Sequence, residues 1–341
     1  MAEGCPRVSF VIPTFNSART LAECLQAIRG QRFPHEQVEI VIADAGSTDA
    51  TPEIAKRFGC DRLVPNELKT GEAGKSAGIR AATGEIIALV DSDNVLDSPD
   101  WLAKMVAPFA DPEIVATEPL SYTWRPGDPA ITRYFAMLGM SDPLCLFLGN
   151  YDRFSMVTGR WTGLDVPIED HPSYMKLTLT ASNLPTIGAN GFVIHRRLLE
   201  KVTWDPYFFD IDIMHQAVEA GERHMAKVKC GIVHLYCRTL GDFARKQDRR
   251  IRDFLFFAAD KGRTYPWDRQ KRAGLVRFCL ATLLVIPLFF QMIRGFSRKR
   301  DAAWLYHIPA CWITLWVYGI GAIKKAIGIR PAPRSRANWR Q

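Results

Sequence analysis

The sequence lacks any C-x-x-C pair, although it contains eight cysteines: Cys5, Cys24, Cys60, Cys145, Cys230, Cys237, Cys279 and Cys311. Structural zinc sites and thioredoxin-like redox centres need closely spaced cysteines, so the missing pairs speak against both kinds of site. The eight residues are scattered through segments that we predict to be buried. This distribution favours free thiols in a reducing compartment over disulfide bonds.

The chain also lacks a signal-peptide pattern and a low-complexity tract. Met1–Pro6 leads directly into a strand-like run, without a charged and then apolar segment, so we expect the first domain to be cytosolic. A length of 341 residues with 48% hydrophobic content predicts one large α/β domain with an appendage. The net charge of +8 leaves nucleic acid, anionic lipid and phosphorylated substrates open as partners.

The segment Gly71–Ser76 lacks the first glycine of a Walker A motif. It ends in Gly-Lys-Ser, but the first glycine would have to stand at position 69, which is Lys69. A nucleoside triphosphatase of that kind is therefore not predicted.

Apolar strand-like runs alternate with helix-like segments in the N-terminal third of the chain. The runs cover Val8–Ile12, Val38–Ala43 and Ile86–Val90. Strands that are apolar throughout are typical of a parallel sheet with helices on both faces. We therefore predict an α/β, Rossmann-like fold with a mostly parallel sheet, in which ligands bind outside the carboxyl ends of the strands.

Acidic residues follow two of these strands. Asp91-Ser92-Asp93 comes directly after Ile86–Val90, and a carboxylate pair at a strand end can hold a divalent ion that bridges diphosphate oxygens. The alternative is a loop with solvated acids. Asp44 ends the preceding long strand and could contact a nucleotide, although Gly46–Asp49 could equally be only a turn and a helix cap.

Three segments together resemble the family 2 glycosyltransferases: Ser9–Asn16, Ile42–Asp49 and Asp91–Asp93. The resemblance covers about the first 100 residues. It implies a GT-A fold, an inverting reaction, a UDP- or GDP-linked sugar donor and a divalent cation, Mg²⁺ or Mn²⁺. The residues that it assigns to the donor are Pro13, Thr14, Asn16, Asp44, Lys75 and Asp91. Ala45 departs from the family, which often carries a second acid at that place.

The same resemblance suggests roles for residues farther along the chain. Asp210 matches an acid that serves as general base on an acceptor hydroxyl, although Phe209 replaces the usual preceding glutamate and Asp210 could instead cap a helix. His234 could join Asp91 and Asp93 in the metal shell, or be an ordinary core or surface histidine. Arg249 lies in the basic cluster Arg245–Arg250, which could contact the diphosphate, the solvent or lipid headgroups.

Two apolar stretches close the chain, Leu275–Ile293 and Ala302–Ile323, and basic residues bracket both. Each is near the length needed to cross a bilayer core, and the alternative is a buried helical hairpin. A spanning hairpin would export the basic turn Arg294–Arg300, so a re-entrant or in-plane hairpin, kinked at Pro287 and Pro309, fits the charges better. We predict that the protein is held at the cytoplasmic face of the membrane.

These patterns predict two domains. Residues 1–260 form the GT-A domain, with a nucleotide-binding half (1–125) and an acceptor half (126–260), and residues 261–341 form the membrane-associated helical region. The predicted acceptor is a membrane lipid, a lipid-linked sugar or a surface glycan. Polyprenyl phosphate as acceptor and a non-catalytic membrane scaffold are the alternatives, whereas nucleic acid is excluded because the basic residues flank apolar stretches.

Overall fold

The computed structural model describes residues 4–188, 190–259, 263–266 and 272–329. The chain divides into two compact units, one of Met1–Thr123 with Leu164–Leu235 and one of Trp124–Gly163 with Tyr236–Gln341. These units interleave along the sequence, so they differ from the predicted domains, which met at residue 260. The difference arises because Trp124–Gly163 contributes side chains to the same core as the C-terminal helices.

The strands are β1 (Val8–Thr14), β2 (Val38–Asp44), β3 (Arg62–Pro65), β4 (Ile86–Val90), β5 (Asn94–Leu96), β6 (Ile114–Tyr122), β7 (Ile168–Asp170), β8 (Tyr174–Thr178), β9 (Asn190–His195) and β10 (His224–His234). The α-helices are α1 (Ala18–Arg29), α2 (Thr51–Arg57), α3 (Gly71–Ala81), α4 (Trp101–Val106), α5 (Ala130–Leu138), α6 (Leu144–Leu148), α7 (Asp210–Glu219), α8 (Leu240–Ala259), α9 (Arg272–Leu284), α10 (Ile286–Arg298) and α11 (His307–Ala326).

All ten strands form one sheet in the first unit, in the order β3-β2-β1-β4-β9-β6-β10-β8-β7, with β5 paired to β10. The pairs among β3, β2, β1 and β4 are parallel, as predicted. The sheet as a whole is mixed, not mostly parallel, because β9 runs antiparallel between β4 and β6. The register sets Thr14 beside Asp44 and Asp44 beside Pro65, so the carboxyl ends of β1, β2 and β3 share one edge.

Helix α3 packs closely on β1 because it presents glycines to the strand. A Cβ on Gly78 would lie 2.4 Å from Val11 Cγ1, and one on Gly74 would lie 2.8 Å from Pro13 Cβ. The helix begins at Gly71, because the Thr70 hydroxyl accepts a hydrogen bond from the Ala73 N–H as N-cap. This close contact fixes Lys75 near the carboxyl ends of the strands.

The second unit is helical and has its own aromatic core, which includes Tyr134, Phe135, Phe243 and Trp304. Asp301, in the connection between α10 and α11, accepts hydrogen bonds from Trp124 Nε1 and from the Arg133 guanidinium. The hydrogen bond from Arg133 is the main reason that the pKa of Asp301 is lowered. The C-terminal helices are therefore attached to this core by a charged contact as well as by apolar packing.

The first predicted apolar stretch is not one helix. It breaks at Val285, which has a positive φ of 63°, just ahead of Pro287, and α9 and α10 meet there at a 93° bend. Within the described residues no single helix is both long and apolar enough to cross a bilayer, and only α9 and α10 together pass that test. Pro309 does not kink α11, because it lies in the first helical turn, where its missing N–H costs little.

Candidate active site

Asp44 holds the loop that follows β2. Its Oδ1 accepts hydrogen bonds from the hydroxyls of Thr14 (2.9 Å) and Ser47 (2.6 Å), and its Oδ2 accepts from the N–H groups of Gly46 and Ser47, each at 2.8 Å. The carboxylate therefore joins the ends of β1 and β2. Neither Ser47 nor Thr48 is the N-cap of α2, which is Ala50, and the Ser47 hydroxyl donates to Asp44 instead.

Asn16 connects the same two loops from the β1 side. Its backbone takes the left-handed conformation, with φ 48°, which asparagine tolerates better than most residues. Its Oδ1 accepts from the Thr48 N–H at 2.8 Å, and its N–H donates to the Ser47 hydroxyl at 2.8 Å. Together with Pro13, which lies against Gly74, these contacts give the strand ends a fixed shape.

The Asp91-Ser92-Asp93 segment forms a tight turn at the end of β4. The N–H of Asn94 donates to the Asp91 carbonyl at 2.9 Å, and the side chain of Asn94 accepts from the Asp91 N–H at 3.0 Å. Ser92 donates to the Ser17 hydroxyl of the loop before α1 at 2.9 Å. Backbone and side-chain bonds thus hold the turn against β1, beside the Asp44 and Asn16 loops.

His234 reaches this turn because the last residues of β10 pair with β5. His234 lies opposite Asn94, and the Leu235 N–H donates to the Asp93 carbonyl at 2.8 Å. The His234 Nε2 and the Asp93 Oδ1 are 3.7 Å apart. The resemblance suggested that His234 joins Asp93, and the pairing of β10 with β5 brings the two residues together across 141 positions of the chain.

The 3.7 Å between these two atoms falls between the two ligand–ligand distances of an octahedral ion. With bonds of about 2.1 Å, neighbouring ligands of an octahedral ion lie about 3 Å apart and opposite ligands about 4.2 Å apart. No group of three or more His, Cys, Asp or Glu side chains among the described residues is arranged to hold a metal. Asp93 and His234 are the described side chains that could hold an ion of the Mg²⁺ or Mn²⁺ type, and Asp91 as a further ligand stays a prediction.

Lys75 and Asp210 form a buried ion pair. Lys75 Nζ is 2.5 Å from Asp210 Oδ2, and the two side chains are 8% and 9% exposed. Asp210 Oδ1 is buried and accepts no hydrogen bond from the described residues. Asp210 is the first residue of α7, whose N-cap is Phe209, so the alternative of Asp210 as a helix cap is not borne out.

The electrostatics connect this pair with the turn after β4. Burial raises the pKa of Asp210, and the Lys75 ammonium opposes that rise. Burial alone would lower the pKa of Lys75, but the nearby carboxylates of Asp210, Asp91 and Glu72 raise it, so the lysine stays protonated. The influence of Asp91 on Lys75 indicates that the two ends of the site lie in one electrostatic environment.

Most of the predicted site residues lie in the same unit of the structure. Pro13, Thr14, Asn16, Asp44, Lys75, Asp91, Asp93, Asp210 and His234 all belong to the first unit. Arg249 does not, because it lies on α8 of the second unit.

Asn190 is a site residue that the sequence did not reveal. Its Oδ1 accepts from the Asn94 side chain at 2.9 Å, and its Nδ2 donates to the Tyr122 hydroxyl at 3.2 Å. The Tyr122 ring in turn lies 5.5 Å from the His234 ring. The available signal was a polar Asn-Gly step directly before the apolar residues of β9.

These residues offer a fixed loop for a nucleotide, a two-ligand position for a cation, a buried ammonium for phosphate and a buried carboxylate for a proton. The model of "Glycosyl transferase family 2" matches residues 9–202, which is more than half of the chain. The chain belongs to glycosyl transferase family 2. The predicted family is thereby confirmed, and the matched range contains every site residue of the first unit except Asp210 and His234.

Glycosyltransferases are also found among the sequence relatives of this chain. Glycosyltransferase AglE of Haloferax volcanii is 29% identical over 146 residues, which are 41% of this chain and 48% of that protein. Glycosyltransferase GlyG of Streptococcus pneumoniae is 37% identical over 94 residues, 26% of this chain and 31% of that protein. The matched segments thus span about half or less of these relatives.

The mannosyltransferase PcManGT from Pyrobaculum calidifontis, solved with GDP-Man and Mn²⁺, superposes over 94% of this chain and 87% of its own with a TM-score of 0.53 and 18% identity. At that identity the likeness supports the shared fold, and the predicted GT-A fold is confirmed.

Proposed function

We propose that this family 2 protein is an inverting glycosyltransferase that moves a sugar from a nucleoside diphosphate to an acceptor at a membrane. The observation that carries the proposal is the convergence of Asp93 with His234 and of Lys75 with Asp210 at the carboxyl ends of β1, β2 and β4. A cation position and a buried ammonium favour a diphosphate, and a buried carboxylate favours an acceptor that must lose a proton.

The residues of the chain divide the chemistry between them. Thr14, Asn16 and Asp44 keep the β1 and β2 loops in shape for the nucleotide, and Lys75 binds a phosphate oxygen. Asp93 and His234, with Asp91, hold a divalent cation, which when bound neutralises the charge on the leaving diphosphate. Asp210 accepts the proton of the acceptor hydroxyl as that oxygen attacks the anomeric carbon.

A thermal-shift screen tests the donor class. GDP and UDP are added to the purified protein with and without Mn²⁺, because PcManGT was solved with GDP-Man and Mn²⁺. We expect one of the two nucleotides to raise the melting temperature only when Mn²⁺ is present, since a ligand that binds the folded state stabilises it. No shift with either nucleotide, at any Mn²⁺ concentration, would contradict the proposal.

We further propose that the C-terminal helices attach the protein to the cytoplasmic face of a membrane and keep it near a lipid-linked acceptor. Large apolar side chains are exposed along all three helices: Leu275, Val276, Leu280, Leu283, Leu284, Ile286, Phe289, Phe290, Ile293, Phe296, Trp312, Trp316, Ile320 and Ile323. Exposed apolar surface of this extent is typical of a membrane-binding region. Basic residues such as Arg294, Lys299 and Arg300 can meet anionic headgroups.

Co-sedimentation with vesicles of mixed phosphatidylcholine and phosphatidylglycerol tests this attachment. The double variant Leu284→Glu, Phe290→Glu replaces two side chains that are 64% and 65% exposed. We expect its vesicle affinity to fall at least about 100-fold, because burial of each side chain in lipid is worth about 1.5–3 kcal/mol. Leu68→Glu, at an exposed apolar residue of the first unit, is the control and should bind vesicles like the wild type. Equal binding by the double variant would exclude these helices as the attachment.

A further inference from the structure

Lys75 and Asp210 are engaged with each other, although the proposed reaction needs each of them for a substrate. The ammonium that would bind a donor phosphate is 2.5 Å from the carboxylate that would accept a proton. A carboxylate held by a cation is a weaker proton acceptor, because the cation stabilises its ionised form. In the described structure the base is therefore covered by the residue that would recognise the donor.

Hydrogen bonds join the segments that carry the two residues, so we assign a change in this contact to the side chains. The Phe208 N–H donates to the Glu72 carbonyl at 3.0 Å, and the Ser76 hydroxyl donates to Asp205 at 2.6 Å. These bonds join α3 to the segment that leads into α7. A lysine side chain is a flexible chain of four carbons that ends in an ammonium group with three N–H donors, so Nζ can change position while Cα stays in place.

Two further observations point to a substrate at this place. Asp210 Oδ1 is buried without a hydrogen bond from the described residues, which is the state expected of an oxygen that awaits a substrate hydroxyl. Lys75 also lies in the field of Asp91, at the end of β4, so a phosphate bound near that strand end competes for the ammonium. The other charged group that acts on both Lys75 and Asp210 is Glu72.

We infer that Lys75 is a donor-operated cover for Asp210: it binds the carboxylate in the free protein and transfers to the diphosphate when the donor binds, so that the donor has to bind before the acceptor can react. This inference rests on the proposed function and adds an order of events to it. Once Lys75 has left, Asp210 is a buried carboxylate without its cation, and its affinity for a proton increases.

The step that follows is balanced in atoms and charge. The acceptor O–H bond breaks and its proton goes to Asp210, while the acceptor oxygen forms a bond to the anomeric carbon. The bond from that carbon to the phosphate oxygen breaks, and its electron pair leaves with the nucleoside diphosphate, which Lys75 now neutralises in part.

Calorimetric titration of GDP and UDP in the presence of Mn²⁺ tests the cover without any acceptor. Because Asp210 competes with the ligand for Lys75, Asp210→Asn should tighten nucleotide binding about five- to tenfold, and Lys75→Met should weaken it about tenfold or more. In the Lys75→Met background the Asp210→Asn change should alter the affinity by about twofold or less. A non-additive pair of this kind is the signature of competition for one ammonium.

Asp111→Asn is the matched control, because Asp111 is also paired with a lysine, Lys176, at 2.6 Å, but precedes β6 at the opposite edge of the sheet. Asp111→Asn should leave the nucleotide affinity unchanged. Lys75→Arg keeps the positive charge and serves as a second variant at this position in case Lys75→Met does not fold. Equal affinity of wild type and Asp210→Asn would overturn the cover alone. Asp210→Asn could also tighten nucleotide binding equally in the wild type and in the Lys75→Met background. The gain would then come from the loss of charge repulsion between Asp210 and the nucleotide, and this result would also overturn the cover. Absence of nucleotide binding by the wild type would overturn the proposed function together with the cover.

Discussion

Asp93→Ala is expected to lower sugar transfer by about 10²–10³-fold, because a metal ion contributes several kcal/mol to the stabilisation of the leaving group. The variant removes one of the two side chains that the structure brings together at 3.7 Å and leaves His234 without its acidic neighbour. The measurement is the release of nucleoside diphosphate from a panel of UDP- and GDP-linked sugars, with membrane lipid extract as acceptor, over a range of Mn²⁺ concentrations.

Asp100→Ala is the control for this experiment. Asp100 lies farther along the chain, directly before α4, and forms an exposed ion pair with Arg32. Its loss should change neither the rate nor the Mn²⁺ dependence, because exposed pairs contribute little. The metal role of Asp93 is refuted when Asp93→Ala and wild type show the same rate and the same response to a chelator.

Asp210→Asn is expected to reduce kcat by about 10²–10⁴-fold with a hydroxyl acceptor, because an amide cannot accept the proton that a positioned carboxylate removes. The substitution keeps the size of the side chain. Glu219→Gln, at the exposed end of the same helix, is the control and should leave kcat unchanged. The assay is run at saturating donor, so that the tighter nucleotide binding expected for Asp210→Asn does not mask the change in kcat.

The same variant distinguishes two kinds of acceptor. A polyprenyl phosphate attacks through an oxygen that is already anionic and needs no base, so turnover within a few-fold of wild type would favour that acceptor. A large loss of kcat, with nucleotide binding intact, favours a hydroxyl on a lipid-linked sugar or a surface glycan.

Sequence patterns located the strand ends that form the site. The apolar runs before Pro13, Asp44 and Asp91 predict strands, and parallel strands bring their carboxyl ends to one edge, so the nucleotide half could be inferred without coordinates. The mixed character of the sheet could not be inferred, because β9 and β10 pair with strands far away in the chain. The same non-local pairing brings His234 to Asp93 and adds Asn190 to the turn after β4.

Local signals were least informative where a side chain has two possible partners. Ser47 looks like a helix cap, yet its hydroxyl donates to Asp44, and Asp210 looks like a cap, yet it faces Lys75. In each case the sequence correctly marked a polar residue at an element boundary. The partner was decided by the neighbouring element, which lies outside the reach of a local pattern.

By itself the sequence determined the family, the strand ends and the residue types that the chemistry needs, because periodicity and short motifs act over a few neighbouring residues. Only the tertiary structure decided which of those residues meet. The contact between Lys75 and Asp210 joins residues 135 positions apart. Trp124–Gly163 belongs to the same unit as the C-terminal helices, so the units are not continuous segments of the chain. Both follow from packing and strand pairing between distant segments, and the free energy of such contacts depends on which surfaces are brought together in the folded chain.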